Sequence, residues 1–335
     1  MVINSNFSDA KQFHQALLKW PNNPFKKILI IEGNYNSSQN ADDRIKNNLD
    51  LLGKMIIKEL SESFTLFIFN DIHIESEFIA YINKKKGGKN VYIEDGIAAY
   101  NNHVFPPKKN LVKIKEKINY GFWYETPRIL GCYKYIDMCL VFYPELIRPE
   151  LEKNNIMRLE KDIITNFDKE LLNSLINEIF PEIFEKNLGC MIILPNSENI
   201  DPSKLKNIQN ILISIIKTLG RYNINSAIKY HPREKNTGFI KLNPNESVTI
   251  IPQSLPCELV FLATKNHPPK YVIGDESTAL YTSRMIYGES TFTISMSKIL
   301  CNNNDFENLF FHPVFQKLGI IVPDSYENIL KLIEK

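Results

Sequence analysis

The chain has 335 residues, with 40 lysines and arginines against 38 aspartates and glutamates. This charge balance argues against a dedicated nucleic-acid-binding protein, and the length is enough for two domains of ordinary size. Its five scattered cysteines include no Cys-x-x-Cys pair, and no run of about 18 apolar residues is present. The N-terminus has no basic segment followed by an apolar stretch, so we expect a cytoplasmic protein, at most peripheral on the inner membrane face.

Apolar runs alternate with helical periodicity in the first half of the chain. Strands are predicted at 27–31, 64–69, 90–93 and 135–143, and helices at 8–20, 42–60 and 75–85. Residues 97–135 have an irregular, aromatic and basic composition. The β-α-β-α-β order that begins at residue 27 indicates a parallel sheet covered by helices.

A second alternation begins at residue 190. Asp201 and Pro202 mark the start of its first helix, and Gly220 is predicted to follow its end. Further strands are predicted at 190–194, 227–230, 247–251, 271–274 and 290–295, with helices at 257–265, 278–287 and 325–334. Neither half contains Gly-x-Gly-x-x-Gly or a Walker loop, which disfavours a nicotinamide enzyme or a P-loop kinase.

The predicted organisation is therefore an α/β protein with two Rossmann-like parallel-sheet domains facing a central cleft. We expect an N-terminal domain at 1–150 and a C-terminal domain at 189–335, joined by a helical linker at 151–188.

Polar motifs follow three of the predicted strands. Glu94-Asp95-Gly96 follows the strand at 90–93, His231-Pro232 follows 227–230, and Ser277-Thr278 lies shortly after 271–274. In open α/β sheets the carboxyl ends of strands carry the ligand site. An acid, a histidine and a hydroxyl pair are the groups that a sugar transfer from a phosphate-bearing donor needs. The structural alternatives are a solvated turn for the acids and a helix N-cap for Ser277.

Two other histidines also precede proline. His267 lies in what reads as the turn before a strand, and His312 lies in an aromatic, packed segment. We expect both to have structural roles only.

The three motifs resemble those of the bacterial sialyltransferases, namely glycosyltransferase family 52 and the related capsule polysialyltransferases of family 38. The strings Tyr-Ile-Glu-Asp-Gly-Ile at 92–97 and Lys-Tyr-His-Pro-Arg-Glu at 229–234 fit as well, as does Pro256-Cys257-Glu258. The resemblance implies a GT-B fold, with an acceptor-side domain at 1–150 and a nucleotide-sugar-binding domain at 189–335. The implied reaction transfers sialic acid from CMP-sialic acid to a hydroxyl of a cell-surface glycan, either lipo-oligosaccharide or capsule. It is inverting and independent of metal. The alternatives are a related CMP-nonulosonic acid donor, a nucleoside-diphosphate-sugar donor, or a non-catalytic glycan-binding protein.

The resemblance also implies roles for single residues. Glu94 would be the general base, with Asp95 as the alternative if Glu94 points away. His231 would hydrogen-bond or protonate the departing phosphate, and its ordinary pKa near neutrality suits that role. Pro232 fixes the backbone just past it, and Lys229 either adds positive potential or faces solvent.

The remaining donor-side residues lie near predicted helix starts. Ser277 and Thr278 open a helix whose N-terminal amides suit a phosphate. By resemblance, Glu258 would accept hydrogen bonds from ribose hydroxyls; alternatively it is an acid favoured by the helix dipole. We expect no metal, because a departing nucleoside monophosphate needs less charge neutralisation than a diphosphate and the sequence has no Asp-x-Asp triplet.

Five lysines fall between Lys108 and Lys117. Such a run is either a solvated helix face, a site for an anionic acceptor, or a surface that rests on anionic lipid. Lys108 and Lys109 are the candidate acceptor contacts of this run. Trp123 either stacks on sugar or packs in the core, and a homodimer is compatible with the sequence.

Overall fold

The computed structural model describes residues 1–4, 10–33, 40–59, 62–100, 104–125, 128–152, 154–184, 186–235, 240, 248–300 and 312–334. The chain forms two compact units. The first comprises Met1–Ser8 and Ile28–Ile163, and the second comprises Asp9–Lys27 and Ile164–Lys335. The predicted linker at 151–188 is therefore divided between the units, and the predicted N-terminal helix belongs to the second of them.

The described residues form strands and helices in alternation. The strands are β1 (Val2–Asn4), β2 (Leu29–Ile31), β3 (Thr65–Ile68), β4 (Lys89–Ile93), β5 (Met138–Val141), β6 (Asn155–Arg158), β7 (Cys190–Ile193), β8 (Ser226–Lys229), β9 (Val248–Ile251), β10 (Tyr271–Gly274) and β11 (Phe292–Ser295). The helices are α1 (Ala10–Lys19), α2 (Ala41–Glu59), α3 (Ile74–Lys85), α4 (Asn110–Tyr120), α5 (Asp162–Thr165), α6 (Lys169–Ile179), α7 (Pro202–Arg221), α8 (Cys257–Ala263), α9 (Thr278–Tyr287), α10 (Ser297–Leu300), α11 (His312–Leu318) and α12 (Tyr326–Ile333).

The first unit contains a four-stranded parallel sheet in the order β3-β4-β5-β6 and a separate parallel pair, β1-β2. Helices α2 and α3 pack against each other, and Leu52, Ile56 and Ile79 bury apolar side chains with Ile31 of β2. These are the apolar positions that the helical spacing predicts to face a core. The parallel sheet of the first unit confirms the predicted α/β class.

The second unit contains a five-stranded parallel sheet in the order β11-β10-β7-β8-β9. Every residue of β7, β8 and β10 is buried, which explains the apolar runs of β7 and β10, whereas β8 also buries Ser226 and Lys229. The strand order reverses between β7 and β10, so a topological switch point lies where their carboxyl ends meet. That edge of the sheet carries His231 after β8 and Ser277 after β10.

Helix α7 covers this sheet with a continuous apolar stripe. Asp201 caps its N-terminus by accepting a hydrogen bond from the Ser203 amide at 2.9 Å, as the sequence predicts. Gly220 lies inside the last turn rather than past the end. The left-handed residue just beyond the helix is Asn223, with φ of 55°, a conformation that asparagine tolerates.

Two elements differ from the sequence-based expectation. The predicted helical linker contains β6, which pairs in parallel with β5. This edge strand is short and largely exposed, so its residues lack the apolar run that identifies a strand. The stretch predicted to be irregular contains α4, an eleven-residue helix with no buried residue. Because α4 buries none of its residues, its sequence lacks the usual division into a buried apolar face and an exposed polar face.

Two carboxyl groups are fully buried in the first unit. Asp71 follows β3 and accepts hydrogen bonds from the amides of Gly131 at 2.8 Å and Tyr133 at 2.9 Å. Glu77 of α3 accepts one hydrogen bond, from the Glu125 amide at 3.2 Å, and its Oε1 has no partner among the described residues. Burial, with a contribution from nearby Asp71, raises the pKa of Glu77 to about 9.

The raised pKa of Glu77 predicts a pH-dependent stability. The folded state keeps the proton and the unfolded state releases it above a pKa of 4.5, so stability falls as the pH rises from that value toward 9. The loss is at most about 1.4 kcal/mol per pH unit in this window. The Glu77→Gln variant removes this titration. Denaturant unfolding at several pH values should show a flatter pH dependence for the variant than for the wild type; equal slopes would contradict the prediction.

Candidate active site

Glu94 is buried at the carboxyl end of β4, where the chain leaves the first unit's sheet. Its amide donates to the Leu140 carbonyl at 3.0 Å. Its Oε2 accepts hydrogen bonds from the Phe142 amide at 2.7 Å and from the Tyr100 hydroxyl, which in turn accepts from the Tyr143 amide at 3.0 Å. The carboxylate is thus held in one orientation between the ends of β4 and β5.

Asp95 has a different environment from its neighbour. Its side chain is exposed, yet surrounding protein atoms desolvate it enough to raise its pKa, while His73 opposes that shift. Gly96 follows with φ of 72°, so the sharp turn after the two acids suits glycine. The motif therefore presents one carboxylate inward and one outward, which the sequence alone leaves open.

Sequence reasoning missed the partners of these acids. Tyr100 lies one short turn after Gly96 and contacts Glu94 directly, while His73 precedes α3 and influences Asp95. His73 could have been found from its position, because it follows the end of β3 as the acids follow β4. Tyr100 has no such signal, since a tyrosine in a short turn is usually a packing residue.

A cavity of about 330 Å³ lies in the first unit and is lined by Phe142 and residues 158–162. Phe142, whose amide holds Glu94, forms one wall, and Arg158 and Lys161 provide positive charge. Arg158 bonds the Phe142 carbonyl at 2.9 Å and Glu145 at 2.8 Å, whereas the Lys161 ammonium lies 5.4 Å from the centre of the Tyr143 ring. The lining also includes Glu160 and Asp162, so the cavity carries acidic as well as basic side chains, and Phe142 connects it to Glu94.

His231 follows β8 in the second unit and is half-buried. Its Nδ1 accepts a hydrogen bond from the Arg233 amide at 3.1 Å, so in the neutral ring Nε2 carries the proton. Desolvation, followed by the positive charges of Arg233 and Lys229, lowers the His231 pKa. At neutral pH His231 is therefore a neutral hydrogen-bond donor through Nε2.

Hydrogen bonds from two buried or half-buried side chains hold the loop that carries His231. Gln253 donates to the carbonyls of His231 at 2.6 Å and Glu234 at 2.7 Å. Lys229 is 1% exposed and its Nζ donates to the carbonyls of Tyr230 at 3.1 Å and Gln253 at 2.8 Å. The alternative that Lys229 faces solvent is wrong, because β8 is buried on both faces. Burial lowers the Lys229 pKa.

The same loop is tied to the neighbouring strand. Glu234 accepts hydrogen bonds from the Ser197 amide at 2.7 Å and the Ser197 hydroxyl at 2.8 Å. Ser197 lies in the loop after β7, on one side of the topological switch point. No local pattern indicates this pair, because the two residues are far apart in the chain.

Ser277 and Thr278 lie at the N-terminus of α9, after β10. Ser277 is the N-cap residue, and its hydroxyl oxygen accepts from the Ala279 amide at 3.2 Å. Nearby, desolvation raises the pKa of Asp275 to about 6. Because β7 lies between β8 and β10, His231 and the start of α9 lie at one edge of a single sheet.

Glu258 lies in the first turn of α8, directly after Cys257, and is half-buried. It is close enough to Lys229 to oppose, with Cys257, the lowering of that residue's pKa. Pro232 is exposed in the turn after His231. The structure thus brings Glu258 to the base of the His231 loop.

The candidate acceptor contacts lie around α4. Lys108 donates to Glu116 at 2.5 Å and to the Tyr124 hydroxyl at 3.1 Å, whereas Lys109 is exposed. Trp123 packs among aromatic rings, with centroids 5.4 Å from Phe78 and 5.9 Å from Tyr81. Packing is therefore an observed role of Trp123.

Among the described residues, no group of three or more His, Cys, Asp or Glu side chains could hold a metal ion. Within the same part of the chain, no helix is both long and apolar enough to span a bilayer.

Two parallel-sheet α/β units, with polar motifs at their strand ends, have the architecture of the GT-B fold class. The family model for alpha-2,8-polysialyltransferases matches residues 9–295, and the chain belongs to this family. It is thus a sialyltransferase, and the resemblance inferred from the motifs is confirmed.

Solved structures share the fold at low identity. The α/β-galactoside α-2,3-sialyltransferase from Photobacterium phosphoreum is 18% identical, with TM-score 0.58 and 98% of each chain covered. The 2,6-sialyltransferase from Photobacterium sp. JT-ISH-224, in complex with CMP and lactose, is 15% identical, with TM-score 0.59 over 97% of this chain and 77% of that one. The UDP-GlcNAc 2-epimerase from Methanocaldococcus jannaschii is 16% identical, with TM-score 0.54 over 100% and 83%. No curated protein sequence matches the chain significantly.

Proposed function

We propose that this enzyme transfers sialic acid from CMP-sialic acid to a hydroxyl of a cell-surface glycan, a lipo-oligosaccharide or capsule chain. The observation that carries the proposal is the placement of His231 and the start of α9 at one edge of the second unit's sheet, at its topological switch point. The family match and the CMP found in the Photobacterium sp. structure support this donor.

The second unit would hold the departing nucleotide. The neutral His231 ring offers Nε2–H to the phosphate, and the amides at the start of α9 provide further donors. Ser277 and Thr278 add hydroxyls there, and Glu258 accepts from the ribose hydroxyls. Lys229 contributes by holding the His231 loop, since its ammonium bonds backbone carbonyls.

The first unit would supply the base. The acceptor oxygen attacks the anomeric carbon as the bond to the CMP phosphate breaks, and the hydroxyl proton passes to a carboxylate. A single displacement of this kind inverts the anomeric centre. We assign the base to Glu94, whose fixed orientation suits that role. Asp95 is the alternative because it is exposed and has a raised pKa.

The acceptor would lie near the cavity bordered by Phe142, Arg158 and Lys161, because the Phe142 amide bonds the Glu94 carboxylate. Lys108, Lys109 and Trp123 remain candidate acceptor contacts. We also propose that the enzyme works in the cytoplasm as a homodimer; the free thiols at Cys132, Cys139, Cys190 and Cys257 suit a reducing compartment.

The transfer is expected to need no metal. A CMP leaving group carries one phosphate, and His231 with the α9 amides can stabilise its charge through hydrogen bonds. Activity measured after treatment with EDTA and desalting should match that of the untreated enzyme. Loss of activity that magnesium or manganese restores would contradict both the metal independence and this account of the donor.

A nucleoside-diphosphate-sugar donor is the second candidate, because the fold is shared with a UDP-GlcNAc 2-epimerase. A related CMP-nonulosonic acid is a closer variant, and a non-catalytic glycan-binding protein would bind without turnover. Release of CMP from CMP-sialic acid, set against release of UDP from UDP-hexoses, distinguishes the two donor classes.

A crystal soaked with CMP tests the proposed division of roles. We expect the phosphate against His231 and the Ser277-Thr278 helix start, with the ribose near Glu258. Phosphate bound in the loop that begins at Gly33, in the first unit, would show that the roles of the two units are reversed. The residue after Gly33 lies outside the described part of the chain.

A further inference from the structure

Helix α4 presents its apolar side chains to solvent. Leu111, Ile114 and Ile118 are 81%, 55% and 74% exposed, and Phe122, just beyond the helix, is 83% exposed. Positions 111, 114 and 118 follow the i, i+3, i+7 spacing of one helix face. Such a stripe normally faces a core, but α4 has no buried residue.

The opposite face of α4 contacts the rest of the first unit. Tyr120 donates to Asp42 at the start of α2 and stands edge-on to the Tyr124 ring, 5.6 Å between centroids. Glu116 bonds Lys108. Positions 116 and 120 are one turn apart, so polar and aromatic contacts fix the helix with its apolar stripe outward.

Basic side chains accompany the stripe. Lys109 and Lys115 are exposed beside the stripe, and their stems can reach along the helix while the ammonium groups stay in water. An amphipathic helix with an apolar stripe and lysines has the composition of helices that lie in the plane of an anionic bilayer. Positive charge excludes a basic partner surface and favours a negatively charged one.

We propose that α4 docks the enzyme on an anionic lipid bilayer. Leu111, Ile114, Ile118 and Phe122 would enter the headgroup and acyl boundary, and the lysines would contact lipid phosphates. This surface, formed by residues 110–122, contains none of the residues assigned to the base or the nucleotide site. The inference goes beyond sialyl transfer and does not depend on the identity of the donor.

Vesicle binding by the full-length enzyme tests the proposal. Binding to vesicles of phosphatidylcholine with phosphatidylglycerol should exceed binding to phosphatidylcholine alone and should weaken with salt. Ile118→Ser should weaken binding by about 50-fold if the side chain is fully inserted, because the serine loses three of the apolar carbons that the isoleucine would bury. The matched control is Ile163→Ser, a 60% exposed isoleucine elsewhere in the first unit, which should bind as the wild type does.

Two further readouts keep the outcomes separate. Transfer to a soluble acceptor should be unchanged in Ile118→Ser, so that failure of vesicle binding is distinguishable from failure of catalysis. Equal vesicle binding by Ile118→Ser and the wild type, or no preference for phosphatidylglycerol, would overturn the proposal. A lipid-free dimer that Ile118→Ser dissociates, seen in sedimentation without vesicle binding, would instead assign the stripe to a second copy of this chain and equally overturn it.

Discussion

Replacing Glu94 with glutamine is expected to lower the rate of sialyl transfer by about 10²–10⁴-fold, the usual contribution of a general base. The amide oxygen of glutamine can still accept the hydrogen bonds that Phe142 and Tyr100 donate to Glu94, so the ends of β4 and β5 should keep their geometry. CMP binding, measured by calorimetry, should be unchanged because the nucleotide is proposed to bind the second unit.

The matched variant is Asp95→Asn. If Glu94 is the base, Asp95→Asn should retain more activity than Glu94→Gln at the same thermal midpoint. Near wild-type activity of Glu94→Gln would limit Glu94 to a structural role, and inactivity of Asp95→Asn alone would transfer the base assignment to that exposed carboxylate.

Replacing His231 with alanine is expected to lower transfer about 10²–10³-fold, the cost typical of removing one donor from developing negative charge. The loss should fall mainly on the rate constant of the chemical step, because the donor from Nε2 is needed most as the phosphate departs. Steady-state kinetics with varied CMP-sialic acid concentrations measure this separation.

His267→Ala is the control for this variant. His267 also precedes proline but is exposed after α8, where its amide bonds the Thr264 carbonyl at 3.0 Å. It should retain full activity at an unchanged thermal midpoint. Equal losses in His231→Ala and His267→Ala would argue against a specific role for His231.

The sequence predicts the central strands β7 and β10 of the second unit because both are buried throughout and read as apolar runs. The motifs could be located from the predicted strands, since Glu94 directly follows one, His231 follows another, and Ser277 lies three residues after β10. The N-cap of α7 and the start of α9 also follow local capping chemistry. The features that the sequence predicts are those set by residues close together in the chain.

The remaining features depend on contacts between distant residues. The inward orientation of Glu94 is set by Phe142 and Tyr100, and the link between Glu234 and Ser197 joins the loops after β8 and β7. The burial of Lys229 is not expected of a charged side chain, and it is possible because backbone carbonyls accept hydrogen bonds from the ammonium. Helix α4 reverses the usual rule that an apolar stripe faces a core.

The most direct measurement of the central claim is transfer itself. The enzyme should be incubated with CMP-sialic acid and a panel of galactosides and sialosides, and the masses of the products measured by mass spectrometry. The account predicts an acceptor heavier by one or more sialyl residues, with one CMP released per residue added and none transferred by Glu94→Gln at comparable times. No sialylated product from any acceptor, together with UDP release and sugar transfer from a UDP-hexose, would contradict it.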